Sequence, residues 1–275
     1  MNSPAPDVEP VLQSIEIAAI KYNGVSSEST NLSLITEEPL SIRVEGEPYA
    51  VVMRTPGDEI YHVAGFCLSE GIVDVPGDFG TIGFCEEVNS NVTTVTLTAK
   101  RRQSVAHILN RKGFVSQTSC GICGKSVIDD ISQAVDRIDA TITININQIF
   151  YAAGKLIQYQ PIYKNTHSAH GAVIFDANLD ALAWAEDVGR HNALDKAIGK
   201  VFMSELIDKA AIGVMSSRLS YELVQKAARA GIEVLIGVSR PTALAVTLAR
   251  AVGMTLVCAR DANVFVFCGE ERMAS

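Results

Sequence analysis

The sequence predicts a mixed α/β fold, in which a smaller, mostly β N-terminal α+β domain is followed by a layered α/β C-terminal domain. Segments up to about residue 98 are β-branched or alternate in polarity, with glycine and proline between them. In the second half, strand-type and helix-type segments alternate along the chain. Hydrophobic residues make up 48% of the 275 residues, enough for a sizeable core. We expect a flexible tail over 1–14, the first domain over 15–140 and the second over 141–275.

In the first domain, Leu40–Val44 and Thr93–Thr98 have the pattern of strands. A helix is predicted between them. Thr55-Pro-Gly-Asp58 opens this helix, and Gly71 marks its end. A short helix is expected from Ser104 to Lys112.

In the second domain, strands and helices are predicted in turn. Asn192 and Asp195 have the types and spacing of the N-cap and the third residue (N3) of one helix, and Pro241 suits the first turn of another. The predicted elements are a helix over 147–160, strands over 172–176 and 181–186, a helix over 192–202, a strand over 211–215, a helix over 220–230, a strand over 233–238, a helix over 241–252, and strands over 255–258 and 264–267.

The composition excludes several classes of partner. The net charge of −8 argues against nucleic-acid binding, which needs a broad basic surface. Met1–Pro10 lacks the basic start and apolar run of a secretory signal, and no apolar stretch reaches membrane-spanning length. We therefore expect a cytoplasmic protein that binds neither nucleic acid nor a membrane.

Two of the six cysteines have a spacing that implies chemistry. Cys120-Gly-Ile-Cys-Gly124 lies in a small, polar, glycine-rich segment, predicted to be an exposed loop over about 115–126. This spacing suits a redox disulfide, half of a zinc site or a persulfide carrier; two chance loop thiols are the fourth possibility. A structural zinc site needs four ligands and no second C-x-x-C exists, so we expect no permanently bound metal.

The cysteine pair lies in a basic segment of an acidic protein. No acidic residue occurs between Glu87 and Asp129. Positive charge favours the nucleophilic thiolate and attracts anionic substrates. The basic residues of this segment are Lys100, Arg101, Arg102, Arg111, Lys112 and Lys125.

A second group of polar residues follows the strands of the C-terminal domain. Arg190, His191 and Asn192 join a strand end to a helix start, where α/β folds gather ligands. The loops that contain Arg218, Thr242 and Arg260 come after later strands and supply hydroxyl groups or a guanidinium group, which suit phosphate.

Together these segments resemble the formate dehydrogenase accessory sulfurtransferases, the FdhD family, from about Leu40 to Phe267. The motifs that carry the resemblance are Arg54-Thr-Pro-Gly-Asp58, Gly65-Phe-Cys-Leu-Ser-Glu-Gly-Ile72, Ser119-Cys-Gly-Ile-Cys-Gly124, Glu186-Asp-Val-Gly-Arg-His-Asn-Ala-Leu-Asp-Lys196, Ser239-Arg-Pro-Thr242 and the loop Cys258–Asn263.

The resemblance implies a cytidine-deaminase-like C-terminal domain, a homodimer, and transfer of sulfur from a cysteine desulfurase to the Mo-bis(molybdopterin guanine dinucleotide) cofactor of formate dehydrogenase. Cys120 would carry the persulfide and Cys123 would assist. The predicted cofactor-binding residues are Arg190, His191, Asn192, Arg218, Thr242, Cys258, Ala259, Arg260, Asp261, Ala262 and Asn263.

The chain departs from the family pattern in two places. Thr166-His-Ser-Ala-His170 stands where the family usually has Thr-Gly-Gly before a histidine, which removes the close backbone approach that glycine permits. Asn263 stands where a basic residue is common. Deaminase activity is not implied, because the H-x-E and P-C-x-x-C motifs of zinc deaminases are missing. A thiol–disulfide oxidoreductase and a non-catalytic cofactor chaperone remain alternatives.

Overall fold

Strands of the protein form three sheets in the computed structural model, which describes residues 12–85, 91–109 and 137–274. The strands are β1 Ser14–Tyr22, β2 Ser27–Ile35, β3 Glu38–Val44, β4 Glu47–Arg54, β5 Phe79–Phe84, β6 Val92–Leu97, β7 His170–Phe175, β8 Ala181–Asp187, β9 Ile212–Arg218, β10 Val234–Ser239, β11 Thr255–Arg260 and β12 Asn263–Cys268. The helices are α1 Glu59–Ser69, α2 Ala99–Ser104, α3 Ala106–Leu109, α4 Ile146–Lys155, α5 Pro161–Thr166, α6 Arg190–Met203, α7 Tyr221–Arg229 and α8 Ala243–Val252. The predicted mixed α/β class is confirmed.

The central sheet has six strands in the order β12-β11-β10-β9-β7-β8. Strands β9, β10 and β11 are parallel, whereas β7 runs antiparallel to both β8 and β9. Strands β8 to β11 therefore all point the same way, and their carboxyl ends meet at one edge, called the carboxyl edge below. The other two sheets are a four-stranded sheet in the order β4-β3-β6-β5 and the hairpin β1-β2.

Several predicted helix boundaries were wrong for identifiable reasons. Helix α6 begins at Arg190 with Gly189 at its N-cap, and the side chain of Asn192 caps nothing because its amide donates to the carbonyl of Met53. Pro241 precedes the cap residue Thr242, whose hydroxyl accepts from the Ala245 amide.

The helix predicted over 147–160 ends at Lys155 and continues as a 3-10 turn, Leu156–Tyr159. Pro161 explains why no helix runs through Gln160, because the residue before a proline avoids the helical region. The short helix predicted from Ser104 corresponds to α3, which begins at Ala106, whereas the preceding helix α2 ends at Ser104. The predicted end at Lys112 lies outside the described residues.

One hydrophobic core joins the four-stranded sheet to the central sheet. It contains Leu40 and Val95 from the first sheet, Leu235 from the second and Ile198 from α6. The other face of the central sheet packs against α4 through a separate cluster around Ile149. The domain boundary at residue 140 stays a prediction.

Helices α1 and α6 cross at the centre of the joint core, backbone against backbone. A Cβ atom built on Gly199 would lie 1.8 Å from the carbonyl oxygen of Tyr61, and one on Gly65 would lie 1.9 Å from that of Asp195. Only glycine therefore fits at Gly65 and Gly199.

The hairpin of β1 and β2 extends the fold at its N-terminal end. A flexible tail was predicted over residues 1–14, but Ser14 already belongs to β1. Residues 1–11 of this predicted tail lie outside the described part. Asn165 of α5 donates to the hydroxyls of Ser14 and Ser33 on one face of the hairpin. Within the described ranges, the helices are all too short or too polar to cross a membrane.

Acid should destabilise the fold through His62 of α1. Its side chain is fully buried, and neither ring nitrogen has a hydrogen-bond partner among the described residues. Burial, together with the charges of Lys196, Lys226 and Arg54, lowers the pKa of His62 well below its usual value. An unfolded histidine takes up a proton near pH 6.5, so below this pH the unfolded chain binds more protons and stability falls, at most by about 1.4 kcal/mol per pH unit.

Urea denaturation between pH 7.5 and 5.5 measures this effect. We expect His62→Gln to lose less stability over this interval than the wild type, and the exposed control His107→Gln to lose as much as the wild type. Equal losses in His62→Gln and the wild type would show that His62 does not contribute.

Candidate functional site at the carboxyl edge

The carboxyl edge collects the polar loops that the sequence marks as ligand-binding. Arg190 follows β8, Arg218 ends β9, Arg240 follows β10 and Arg260 ends β11. Among the described residues, Arg190 and Arg218 have no carboxylate within ion-pair distance, whereas Arg260 pairs with Asp261 at 3.0 Å. The edge therefore presents guanidinium groups that are free to bind an anion.

Part of the string Glu186–Lys196 faces the protein interior. Asp187 forms an ion pair with Lys196 at 2.8 Å and accepts a hydrogen bond from the Thr55 amide at 3.0 Å. Lys196 donates to the Thr55 carbonyl, and Asn192 donates to the carbonyl of Met53 and to Asp187. The side chains of Asp187, Asn192 and Lys196 are buried. The structure thus places the predicted ligand Asn192 in a network that joins the two halves of the chain.

Two other acidic residues of the string also have internal partners. Glu186 accepts hydrogen bonds from the amides of Ile162 and Tyr163 at 2.7 Å each. Asp195 forms an ion pair with Lys226 at 2.8 Å and accepts from the hydroxyl of Ser69. Of the polar residues in this string, Arg190 and His191 remain partly exposed at the edge.

Two histidines stand at the edge with different partners. His191 Nε2 lies 2.9 Å from a carboxylate oxygen of Glu222 and 3.1 Å from the hydroxyl of Ser220. His170 Nδ1 lies 3.3 Å from the hydroxyl of Ser216. Burial, with the charges of Arg190 and His191, lowers the pKa of His170, so its ring is neutral at pH 7. The hydrogen bond from His191 lowers the pKa of Glu222.

A cavity of about 510 Å³ opens beside His170 and Ser216. Its apolar wall comes from α4, the 3-10 turn and β10, and includes Leu156, Ile157 and Val238. This volume lies in the range of small-molecule sites.

The polar side of the cavity includes Gln160 and His167. Gln160 is only 3% exposed, and its amide nitrogen has no hydrogen-bond partner among the described residues. His167, at one of the positions where the resemblance led us to expect glycine, adopts the left-handed conformation (φ 54°) that glycine favours. Its ring lies edge-on to Tyr163 at 5.7 Å. A histidine side chain therefore takes up space that a glycine would leave open.

The Cys258–Asn263 loop divides into a buried and an exposed part. Cys258 and Ala259 are buried in β11, and burial raises the pKa of the Cys258 thiol. Residues 260–263 are exposed. Asp261 and Ala262 both have positive φ, 52° and 59°, and form the two-residue turn between β11 and β12. Such turns usually contain asparagine and glycine, so an alanine here is strained. The hydroxyl of Thr242 is used in capping α8.

The predicted thiol pair, Cys120 and Cys123, lies outside the described residues. On the N-terminal side of the segment 110–136, Ile108 approaches Gly71 at the C-terminal end of α1. On its C-terminal side, the Ile138 amide donates to the Val252 carbonyl just before β11 begins. The described chain on both sides of that segment therefore lies at the edge opposite His191.

Part of the predicted basic segment is neutralised. Arg101 forms ion pairs with Asp74 and Asp78, and Arg102 forms one with Glu45. Arg111, Lys112 and Lys125 lie outside the described residues. In the ranges that the structure covers, no three His, Cys, Asp or Glu side chains come together as a metal site would require.

Comparison with known proteins identifies the family. The family model described as the FdhD/NarQ family matches residues 35–274. A sulfur carrier protein FdhD from Streptomyces avermitilis is 36% identical over 251 residues, covering 88% of this chain and 89% of that protein. One from Mycobacterium tuberculosis is 38% identical over 236 residues, covering 82% and 85%.

The fold also matches a crystal structure from Desulfotalea psychrophila that is assigned as a formate dehydrogenase accessory protein. The TM-score is 0.76 at 21% identity, and the match covers 96% of this chain and all of that one. The cytidine-deaminase likeness of the C-terminal half stays a prediction. On the strength of the family model and of these relatives, this chain belongs to the FdhD/NarQ family.

Proposed function

We propose that this protein carries sulfur as a persulfide on Cys120, with Cys123 assisting, from a cysteine desulfurase to the Mo-bis(molybdopterin guanine dinucleotide) cofactor of a formate dehydrogenase. The relatives, which are named sulfur carrier proteins, support the carrier role. The similar structure supports the link to formate dehydrogenase. We further propose, from the family resemblance, that it works in the cytoplasm as a homodimer.

The sulfur step follows from thiol chemistry. The Cys120 thiolate attacks the outer sulfur of the desulfurase persulfide, a new S–S bond forms, and the desulfurase cysteine leaves as a thiolate. If Cys123 then attacks the inner sulfur of the Cys120 persulfide, sulfide is released to the acceptor and a Cys120–Cys123 disulfide remains. A cellular dithiol would have to reduce that disulfide before the next cycle.

The polar groups and the cavity at the carboxyl edge are the main support for the proposal that this protein binds the cofactor. Arg190 and Arg218 have no carboxylate partner among the described residues, and their guanidinium groups suit the phosphates of a guanylated cofactor. The neighbouring cavity, with its apolar wall and the unpaired amide of Gln160, suits a flat ring with hydrogen-bonding edges. The molybdenum cofactor is the substrate here.

Guanosine diphosphate should bind at this edge as a substitute for one half of the cofactor. We expect Arg190→Ala and Arg218→Ala each to raise its Kd by about ten-fold, since each removes one charge-assisted contact to phosphate, about 1.4 kcal/mol. Isothermal titration calorimetry with the full chain measures this, with adenosine diphosphate as the comparison ligand.

The control variant is Arg43→Ala, which removes an exposed arginine from β3 of the four-stranded sheet. Its Kd should equal that of the wild type. If neither nucleotide binds to the wild type, or if all three variants bind alike, the carboxyl edge is not the cofactor site.

A further inference from the structure

Glu222 stands out because it contacts His191 and was not marked by any sequence pattern. It occupies the first turn of α7, and its carboxylate lies 2.9 Å from His191 Nε2. The N-cap residue of the same helix, Ser220, has its hydroxyl 3.1 Å from the same nitrogen. One ring nitrogen of His191 is thus held from two sides by α7.

The other ring nitrogen of His191 is unused in the part of the chain that the structure describes. Within the described ranges, Nδ1 has no hydrogen-bond partner, and the side chain is 27% exposed at the carboxyl edge. The charged or titratable groups around this pair are Arg190 in α6, His170 in β7 and Lys226 in α7. Lys226 is engaged with Asp195.

The contact with Glu222 selects a tautomer. In a neutral imidazole one nitrogen donates and the other accepts, and the hydrogen bond made by one nitrogen decides the role of the other. A carboxylate only accepts, so Nε2 must carry the hydrogen, and in the neutral ring Nδ1 is left as an acceptor. The same arrangement orients metal-binding histidines, where a carboxylate behind the ring fixes its direction.

We infer that Glu222 is a positioning residue, which holds His191 in the Nε2–H tautomer so that Nδ1 accepts a hydrogen bond from an N–H group of the ligand at the carboxyl edge. This inference rests on the proposed function for the presence of that ligand. It assigns His191 the role of hydrogen-bond acceptor for the ring of the ligand, and it assigns Glu222 the role of keeping His191 in the tautomer that can accept. A guanine or pterin ring carries N–H donors of the required kind.

Nuclear magnetic resonance of labelled histidine in the full chain tests the tautomer directly. The ring carbon and nitrogen shifts of His191 should report the Nε2–H form in the wild type. Glu222→Ala should give a mixture of both tautomers, whereas Glu222→Gln should retain the Nε2–H form, because a glutamine can still accept through its oxygen. If Glu222 only stabilised the fold, its replacement would leave the tautomer of His191 in the folded protein unchanged.

Affinity for guanosine diphosphate gives the second readout. We expect Glu222→Ala to raise Kd about ten-fold and Glu222→Gln to stay within about three-fold of the wild type. In a His191→Ala background, Glu222→Ala should cause no further loss, since the two residues act as one unit. Glu28→Ala, which removes the carboxylate of an exposed ion pair with Lys21, is the matched control and should change neither readout.

The outcomes separate this inference from the proposed function. An unchanged tautomer in Glu222→Ala, or equal losses of affinity from Glu222→Ala with and without His191, would overturn the inference while the proposed function stood. If the wild type binds no guanosine diphosphate, the cofactor proposal fails. The tautomer signal would then still decide whether Glu222 positions His191.

Discussion

Replacing Cys120 with alanine should reduce formate dehydrogenase activity to the level seen in cells without this protein. The expected loss is complete because Cys120 carries the sulfur atom in the proposed reaction, and no second residue can form the same persulfide at that position. The measurement is dehydrogenase activity in cells that express the variant in place of the wild type. Intact mass after incubation with a cysteine desulfurase and cysteine should show one added sulfur atom in the wild type and none in Cys120→Ala.

The matched control is Cys85→Ala, which removes a partly buried free thiol next to β5. It should keep full activity and should still gain sulfur. Full activity in Cys120→Ala would contradict sulfur transfer through this residue and would favour the alternative of a non-catalytic cofactor chaperone. A wild type that gains no sulfur but cycles between a dithiol and a disulfide would favour the oxidoreductase.

Replacing Gly199 with alanine should have the largest effect on stability. The added methyl group would lie 1.8 Å from the Tyr61 carbonyl oxygen, which belongs to a helix backbone and cannot rotate away. Helices α1 and α6 would have to move apart, and the joint core with them. We expect a loss of about 3 kcal/mol or more in the free energy of unfolding, measured by urea denaturation.

Gly154→Ala is the control for this substitution. Gly154 also lies in a helix, but a Cβ atom there meets nothing within 4 Å. Alanine should raise stability at this position by about 0.5 to 1 kcal/mol, since it is the better helix former. If the two variants had similar stability, the close approach of α1 and α6 would not be important for the fold.

The strands and helices of the C-terminal half were largely predictable because each repeats a short pattern. Strand β9 is a run of apolar residues before a turn, and α7 has a serine cap followed by a regular apolar face. Such signals depend on neighbours within a few residues, which a sequence shows directly. The predicted start of α6 was wrong because the sequence alone does not show whether Asn192 caps a helix or forms a hydrogen bond with a distant residue.

The candidate site was harder to predict, for a related reason. A ligand site requires polar residues at or soon after a strand end, and this description also fits Asp187, Asn192 and Lys196. Their partners, Met53 and Thr55, lie more than a hundred residues earlier, and nothing local to the string indicates them. Glu222 was missed because an acidic residue in the first turn of a helix is common and needs no functional explanation.

The contact between α1 and α6 also has a consequence for synthesis on the ribosome. Ser69 and Asp195, which bond across it, are 126 residues apart. At translation rates of about 5 to 20 residues per second, the second partner leaves the ribosome about 6 to 25 seconds after the first. Throughout that time Val63, Ala64 and Cys67 of α1 have no α6 to cover them. The nascent chain is therefore an expected client for chaperones that bind exposed apolar segments, until the middle of the C-terminal half has been made.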